Sequence, residues 1–327
     1  MRMTGIQKLA LASLAFLILL IFAGAIVRVT GSGLGCPDWP TCWGEIIPPT
    51  SVEEVDFKKL ESRLDRYKRS AERFGRDPNE ITLEKLREEY DPLQTWIEFS
   101  NRLLAFPVAI STFSLMVLCL WQGRFRKLGI SAFLIVILNA LFGIVVVASG
   151  LHTGVVTVHM ALAFALLFVL TYLVWAGGAE GNSRPRIAGA QGGLVMLMLI
   201  CVMAEWALGS QIREMTDQLM LEYGVETRGD WIDQISESWI YLVHRSFSWS
   251  ILILALLLGR KVGWAGLVPR LALSVVGSLM VMGVILSQSG IHAVVQVLHV
   301  GMAGILVSAV YYWWLASERK MMGGEGD

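Results

Sequence analysis

The chain has 327 residues, no formal net charge, 55% hydrophobic and 17% charged residues, and a mean hydropathy of +0.59. Soluble globular chains carry about 25% charged residues, so this balance excludes a soluble enzyme, a basic nucleic-acid binder and a disordered chain. Residues 51–91 alone hold 22 of the 54 charges, which predicts a polytopic membrane protein with one water-exposed insert.

Crossing a bilayer takes about 20 mostly apolar residues per helix. Eight runs qualify, at 6–29, 94–121, 128–150, 154–176, 188–212, 237–259, 270–290 and 293–316. They are apolar on every side and lack the alternation of barrel strands, so all eight are expected to be helices. The first is too long for a cleaved signal peptide and lacks a small-residue cleavage site. No mitochondrial-type leader precedes it, which favours a prokaryotic plasma membrane.

Between the first two runs lies the insert, about 30–93. Ser51 and Glu54 form a capping-box pattern, and Asp77-Pro78 is a second N-cap followed by proline. Asp91-Pro92 marks a stop. The expectation is a solvated helical hairpin, with a docking surface for a partner as the alternative.

Arg2 and Lys8, then Arg124, Arg126 and Lys127, Arg184 and Arg186, Arg260, Lys261 and Arg270, and finally Arg319 and Lys320 all fall on one side of eight spans. The short loops near 150–153 and 290–293 carry no Lys or Arg. Positive residues stay inside, so both termini and the tail at 317–327 are expected in the cytoplasm and the insert outside.

The chain also repeats itself. Thr95–Arg102 aligns with Ser238–Arg245, and residues 143–163 align with 283–303 with seven identities in 21 positions, His152/His292 and His159/His299 among them. A weaker match pairs Gly24 and Arg28 with Gly209 and Arg213. An all-α fold follows: two tandem four-helix bundles, 1–176 and 188–316, related by a pseudo-twofold axis along the membrane normal, because four spans return the chain to its starting side.

Ionisable groups inside a membrane are functional suspects. His244 and His299 lie at one depth in the second unit, and His159 has the same depth in the first. Two histidines on facing helices of a bundle are a way to hold a heme. Imidazole also suits zinc or copper, but no carboxylate or thiolate cluster joins these. Arg245 and Arg213 lie near enough to the same surface to pair with heme propionates. In the first unit Asn101 replaces His244, and Glu98 replaces Tyr241. That unit therefore offers one strong ligand, His159, and a carboxylate suited to acid–base work; an ion pair with Arg102 is the structural alternative for Glu98. Cys36 and Cys42 face the side read as oxidising, where a disulfide forms, either as a staple or in a redox role. Glu205 in the fifth span has Leu20 as its counterpart and no assigned task, and His152 and His292 sit at the outer turns.

The run from Gly24 to Cys42 (GAIVRVTGSGLGCPDWPTC), the Glu98-x-x-x-Arg102 segment, Gly150-Leu-His152-Thr-Gly and the paired histidines resemble the heme A synthase (CtaA) family over nearly the whole chain. The resemblance implies oxidation of a heme O ring methyl to a formyl group, by successive hydroxylation and loss of water, giving heme A for terminal oxidases. It implies a heme b cofactor on His244 and His299, with Arg245 and Arg213 beside it. It places the substrate heme in the first unit near His159, Asn101, Arg102 and Arg28, makes Glu98 the essential glutamate, and matches Cys36 and Cys42 to an outer cysteine pair. Heme O synthase (the protoheme farnesyltransferase) and an electron donor or acceptor are the implied partners, with a homo-oligomer left open and no nucleic acid. The family pattern has His where this chain has Asn101. The alternative reading is a non-catalytic b-type cytochrome or heme chaperone, which needs the same histidines but not Glu98.

Overall fold

The structure, a computed structural model, describes residues 3–73, 77–178, 192–262 and 266–317. Arg2, Arg184, Arg186, Arg319, Lys320 and the expected start of the fifth span at 188–191 lie outside the described residues. In chain order the helices are α1 (Gly5–Val29), the short α2 (Phe57–Glu61), α3 (Leu64–Arg73) and α4 (Leu83–Glu88) of the insert, and α5 (Pro92–Gln122). There follow α6 (Arg126–Ala148), α7 (Thr153–Ala176), α8 (Gly192–Tyr223), the short α9 (Trp231–Ser236), α10 (Trp239–Val262), α11 (Leu267–Gln288) and α12 (Ala293–Ser317). Eight of these are long and apolar enough to cross a membrane, and no strand occurs among the described residues. The chain is an all-α multi-pass membrane protein.

Local chemistry sets the boundaries. Thr4 caps α1, its hydroxyl accepting from the Gln7 amide, and the Gln7 side chain donates to the Val174 carbonyl at 3.0 Å, tying the start of α1 to the end of α7. Asp91-Pro92, expected as a stop, instead opens α5. The Asp91 carboxylate accepts from the amides of Leu93 and Gln94, and proline fits the first turn, whose amides have no helical partner. The Ser51/Glu54 capping box does not form. Glu54 accepts from the Thr50 amide and hydroxyl, and only a single 3₁₀ turn, Val52–Glu54, follows.

The fifth span runs well past its expected end at 212, to Tyr223. At 1.5 Å per residue, its 32 residues extend about 48 Å, against an apolar layer of about 30 Å. The polar extension stays helical because its inner face bonds to other helices instead of water.

α1, α5, α6 and α7 pack in a ring, each on the next, and α8, α10, α11 and α12 form a second ring. α12 also lies against α1 and α7, and it is the most enclosed of the eight. Lipid tails are as apolar as leucine, so close packing and small residues hold such helices together. Gly301 shows the requirement. A Cβ there would fall 2.2 Å from the Phe22 ring of α1, so only glycine lets α1 seat on α12. Phe164 on α7 meets Trp206 on α8, ring centres 4.3 Å apart.

The insert is not a solvated hairpin. It has a small core of Cys36, Cys42, Trp43, Val55 and Leu60, with Phe57, Tyr67, Leu86, Tyr90 and Phe99 packed around it, and a Cys36–Cys42 disulfide. So small a unit is marginal without a staple. It docks on the start of α5: the Trp43 indole donates to the Gly35 carbonyl (2.7 Å) and the Thr95 hydroxyl (3.0 Å). A Cβ on Gly35 would lie 2.6 Å from the Gln94 carbonyl oxygen, so this approach of loop to helix requires glycine.

Candidate functional site

The chain direction puts the ends of α1, α6, α8 and α11 and the starts of α5, α7, α10 and α12 at the end that carries the insert. His159, His244 and His299 each lie five or six residues into their helices, roughly 8–9 Å along the axis. They therefore share one depth.

His244 and His299 face each other with ring centres 6.5 Å apart. Two nitrogen–metal bonds of about 2 Å each, with roughly 1 Å from each ring centre to its nitrogen, span about 6 Å. One metal ion fits between the rings. Among the described residues no three His, Cys, Asp or Glu side chains come together. A pair of imidazoles without further protein ligands suits an iron whose other four positions belong to a porphyrin. The Nδ1 atoms of His159, His244 and His299 are buried without a hydrogen-bond partner.

Each of these rings lies over a glycine of the neighbouring helix. A Cβ on Gly143, Gly209 or Gly283 would stand 3.5, 3.4 or 3.9 Å from Cε1 of His159, His244 or His299 respectively. The fourth glycine of the repeat is Gly24, paired by register with Asn101. A Cβ there would meet nothing within 4 Å. The Asn101 side-chain oxygen is buried without a partner. His152 and His292 are exposed and lie outside this arrangement.

Glu98 is 4% exposed. Its Oε2 accepts from the Cys36 amide at 2.8 Å, and its Oε1 pairs with Arg102 one turn on. The Arg102 guanidinium also donates to the carbonyls of Asp38 (2.8 Å), Thr41 (3.1 Å) and Cys36 (3.3 Å). The disulfide loop and Glu98 are thus one bonded unit. Arg102, expected beside the substrate, is occupied in holding that unit together.

A second polar group joins the two rings of helices. Asp217 on α8 receives Arg28 of α1 at 3.0 Å through Nε and pairs with Arg213 at 2.8 Å. Arg228 is close enough for the Asp217 charge to act on it, and it donates to the Gln296 amide oxygen (2.9 Å) and the Val29 carbonyl. Arg213 also bonds Thr216. Two guanidiniums, those of Arg28 and Arg213, thus pair with one carboxylate, and Arg228 is tied beside them through Gln296 and the end of α1. The expectation placed Arg28 and Arg213 at two separate hemes, yet they share one carboxylate. Asp217, Thr216, Arg228 and Gln296 have no sequence signal of their own beyond the i,i+4 spacing of Arg213 and Asp217. Arg245 is exposed on α10.

Residues 7–311 match the COX15-CtaA family, described as cytochrome oxidase assembly protein. The chain is similar to the heme A synthase of Sphingopyxis alaskensis, 27% identical over 320 positions that cover 89% of this chain and 86% of that one. It is similar to the heme A synthase of Novosphingobium aromaticivorans, 26% identical with 94% of each chain covered. With the heme A synthase of Shewanella oneidensis it shares 27% identity over 180 positions, covering 53% of this chain and 44% of that protein.

Proposed function

The chain belongs to the COX15-CtaA family of cytochrome oxidase assembly proteins, and from that premise we propose that it is a membrane heme A synthase, oxidising a ring methyl of heme O to a formyl group. The observation that carries the reading is the contrast between two equivalent pockets. One holds a pair of imidazoles at the spacing of a single metal ion. The other keeps one imidazole, His159, across the ring of helices from α5, which bears Asn101 and a fixed carboxyl group, Glu98.

In this reading the two rings of helices are two tandem bundles, and the second is the resident-cofactor half. His244 and His299 hold heme b, which supplies one-electron transfer when bound. The excess positive charge of Arg28, Arg213 and Arg228 over Asp217 suits the anionic propionates of hemes at the join, with Arg245 a further cation at the rim. In the first half His159 holds the substrate iron, and Asn101 leaves its opposite side without a strong protein ligand. Glu98 takes or gives the proton at its carboxyl oxygens, oriented by the Cys36 amide and Arg102. The disulfide keeps that amide in place. Arg102 acts through Glu98 and the loop.

The Lys/Arg bias supports cytoplasmic termini and heme pockets toward the outer face of the plasma membrane. Heme O synthase supplies the substrate, an electron partner completes the reaction, and homo-oligomer formation is compatible with this reading.

The test is expression with and without a heme O synthase, followed by extraction and mass analysis of the hemes. Heme A should appear only with heme O supplied and only with this chain present. Unchanged heme O, with a normal low-spin heme b, would return the protein to the carrier reading.

A further inference from the structure

We propose that Glu205 is a positioning residue for His244, and that it lowers the reduction potential of the iron that His244 holds. The proposal rests on the reading of His244 and His299 as ligands of a heme b. Glu205 lies on α8, within the membrane span. A carboxyl group is expensive there and is retained for a partner or a task. No Lys or Arg pairs with it among the described residues. Among the described residues its one ion-pair contact is with the ring of His244, with Oε1 3.1 Å from Nδ1. The other oxygen, Oε2, is buried without a partner. The pair lies within ion-pair distance but falls short of hydrogen-bond geometry, since Nδ1 has no hydrogen-bond partner. The Glu205 backbone lies beside the same ring, so substitutions at Glu205 change the carboxyl while keeping that backbone.

One turn further along α8, Gly209 lies beneath Cε1 of the same ring, where a Cβ would be 3.4 Å away. α8 therefore covers the Nδ1–Cε1 edge of the imidazole. Nε2 is the nitrogen left for a metal. A carboxyl on the far nitrogen fixes ring orientation and raises the basicity of the ligand. A more basic ligand stabilises ferric over ferrous iron, and hydrogen bonding around the ligands is one of the protein's levers on heme potential.

The repeat supplies an internal control. Glu205, Gly209 and His244 correspond by register to Leu20, Gly24 and Asn101. The glycine persists in both halves, while the carboxyl is present only where the imidazole is. Among the described residues neither His159 nor His299 has a carboxyl within ion-pair distance, so the device belongs to one ligand of one pocket.

The experiment is a redox titration of the purified, heme-loaded protein and its Glu205→Leu and Glu205→Gln variants. Glu205→Leu installs the residue of the other half. It should keep the low-spin spectrum and lose about tenfold in its preference for ferric iron, a rise of about 59 mV for one electron. Glu205→Gln should rise less, because its amide oxygen is still an acceptor. A potential unchanged in Glu205→Leu, with the heme retained, overturns the proposal. Should both variants lose the heme, the His244→Gly protein loaded with imidazole or 1-methylimidazole decides. The methylated ring has no N–H to offer Glu205, so its complex should have the higher potential, and equal potentials overturn the proposal. If His244→Ala leaves a full bis-imidazole spectrum, the reading of the heme site has failed instead.

Discussion

Between α10 and α12 the insert end of the molecule carries two facing imidazoles, His244 and His299, with Glu205 behind the first. At the matching positions of α5, α7 and α1 it carries Asn101, His159 and Leu20. The four glycines persist in both halves, three of them beneath a histidine ring, while the imidazole of His244 and the carboxyl of Glu205 have no counterpart in the first half. Helix positions and close contacts are costly to change together, whereas a ligand can be exchanged singly. On the proposed reading, a repeated set of helices keeps its frame while one pocket is saturated and the other stays open. The insert adds to the contrast, since among the described residues its bonds to the membrane helices run to α5, through Glu98, Arg102 and Thr95.

Removing a ligand has the largest expected effect. His244→Ala and His299→Ala should each abolish the low-spin heme b absorbance of the purified protein, while His159→Ala leaves it. Full retention in both would erase the difference between the halves. Next comes Glu98→Gln, which keeps shape and removes the carboxyl. It should leave the heme b spectrum intact and lower heme A output by about 10²–10⁴-fold, the usual weight of a general acid or base. Extracted heme O, or a hydroxylated product, should accumulate; normal heme A output would sink the catalytic role.

Asn101→His makes the first pocket resemble the second. It also installs the residue that the heme A synthase pattern carries there. Loaded with heme O, the variant should gain a second low-spin signal, and a turnover lowered roughly tenfold, about 1.4 kcal/mol of barrier, would show that this chain works through an open side. Unchanged turnover beside the new signal would make the missing imidazole a neutral difference.

Asp217→Asn tests the join between the halves. It removes the anion shared by Arg28 and Arg213, the latter only 5% exposed. Breaking a fully buried pair costs about 3–5 kcal/mol; Asp217 is 22% exposed, so roughly half of that is expected. The thermal midpoint should fall by several degrees, and the double variant Arg28→Met/Asp217→Asn should recover part of it.

The smallest effect belongs to the insert. Burial first, and the Asp38 charge second, push the Tyr67 phenol up to about 12. In the unfolded chain it ionises near pH 10. The folded state therefore holds the proton more tightly, and this contribution is fully present below pH 10 and lost as pH rises through 12. Trp43 fluorescence should report loosening of the insert over that window, and Tyr67→Phe should remove the Tyr67 part of the pH dependence.

Eight spans, the repeat and the depth-matched histidines are legible in the chain alone. Apolar run length is a local property of the chain, and residues at equal distances from helix starts share a depth whatever the packing. The cysteine pair was legible for the same local reason. Other features arise from helix packing. The Cys36 amide meets Glu98 across 62 positions, and Arg28 meets Asp217 across 189. His244 meets Glu205 through the packing of α8 on α10. None of these contacts leaves a spacing signal, because they depend on which face of one helix turns toward another. The extension of α8 past residue 212 was hidden likewise. A polar segment reads as a loop until its partners are known, and here Arg213 and Asp217 find theirs on each other and on α1.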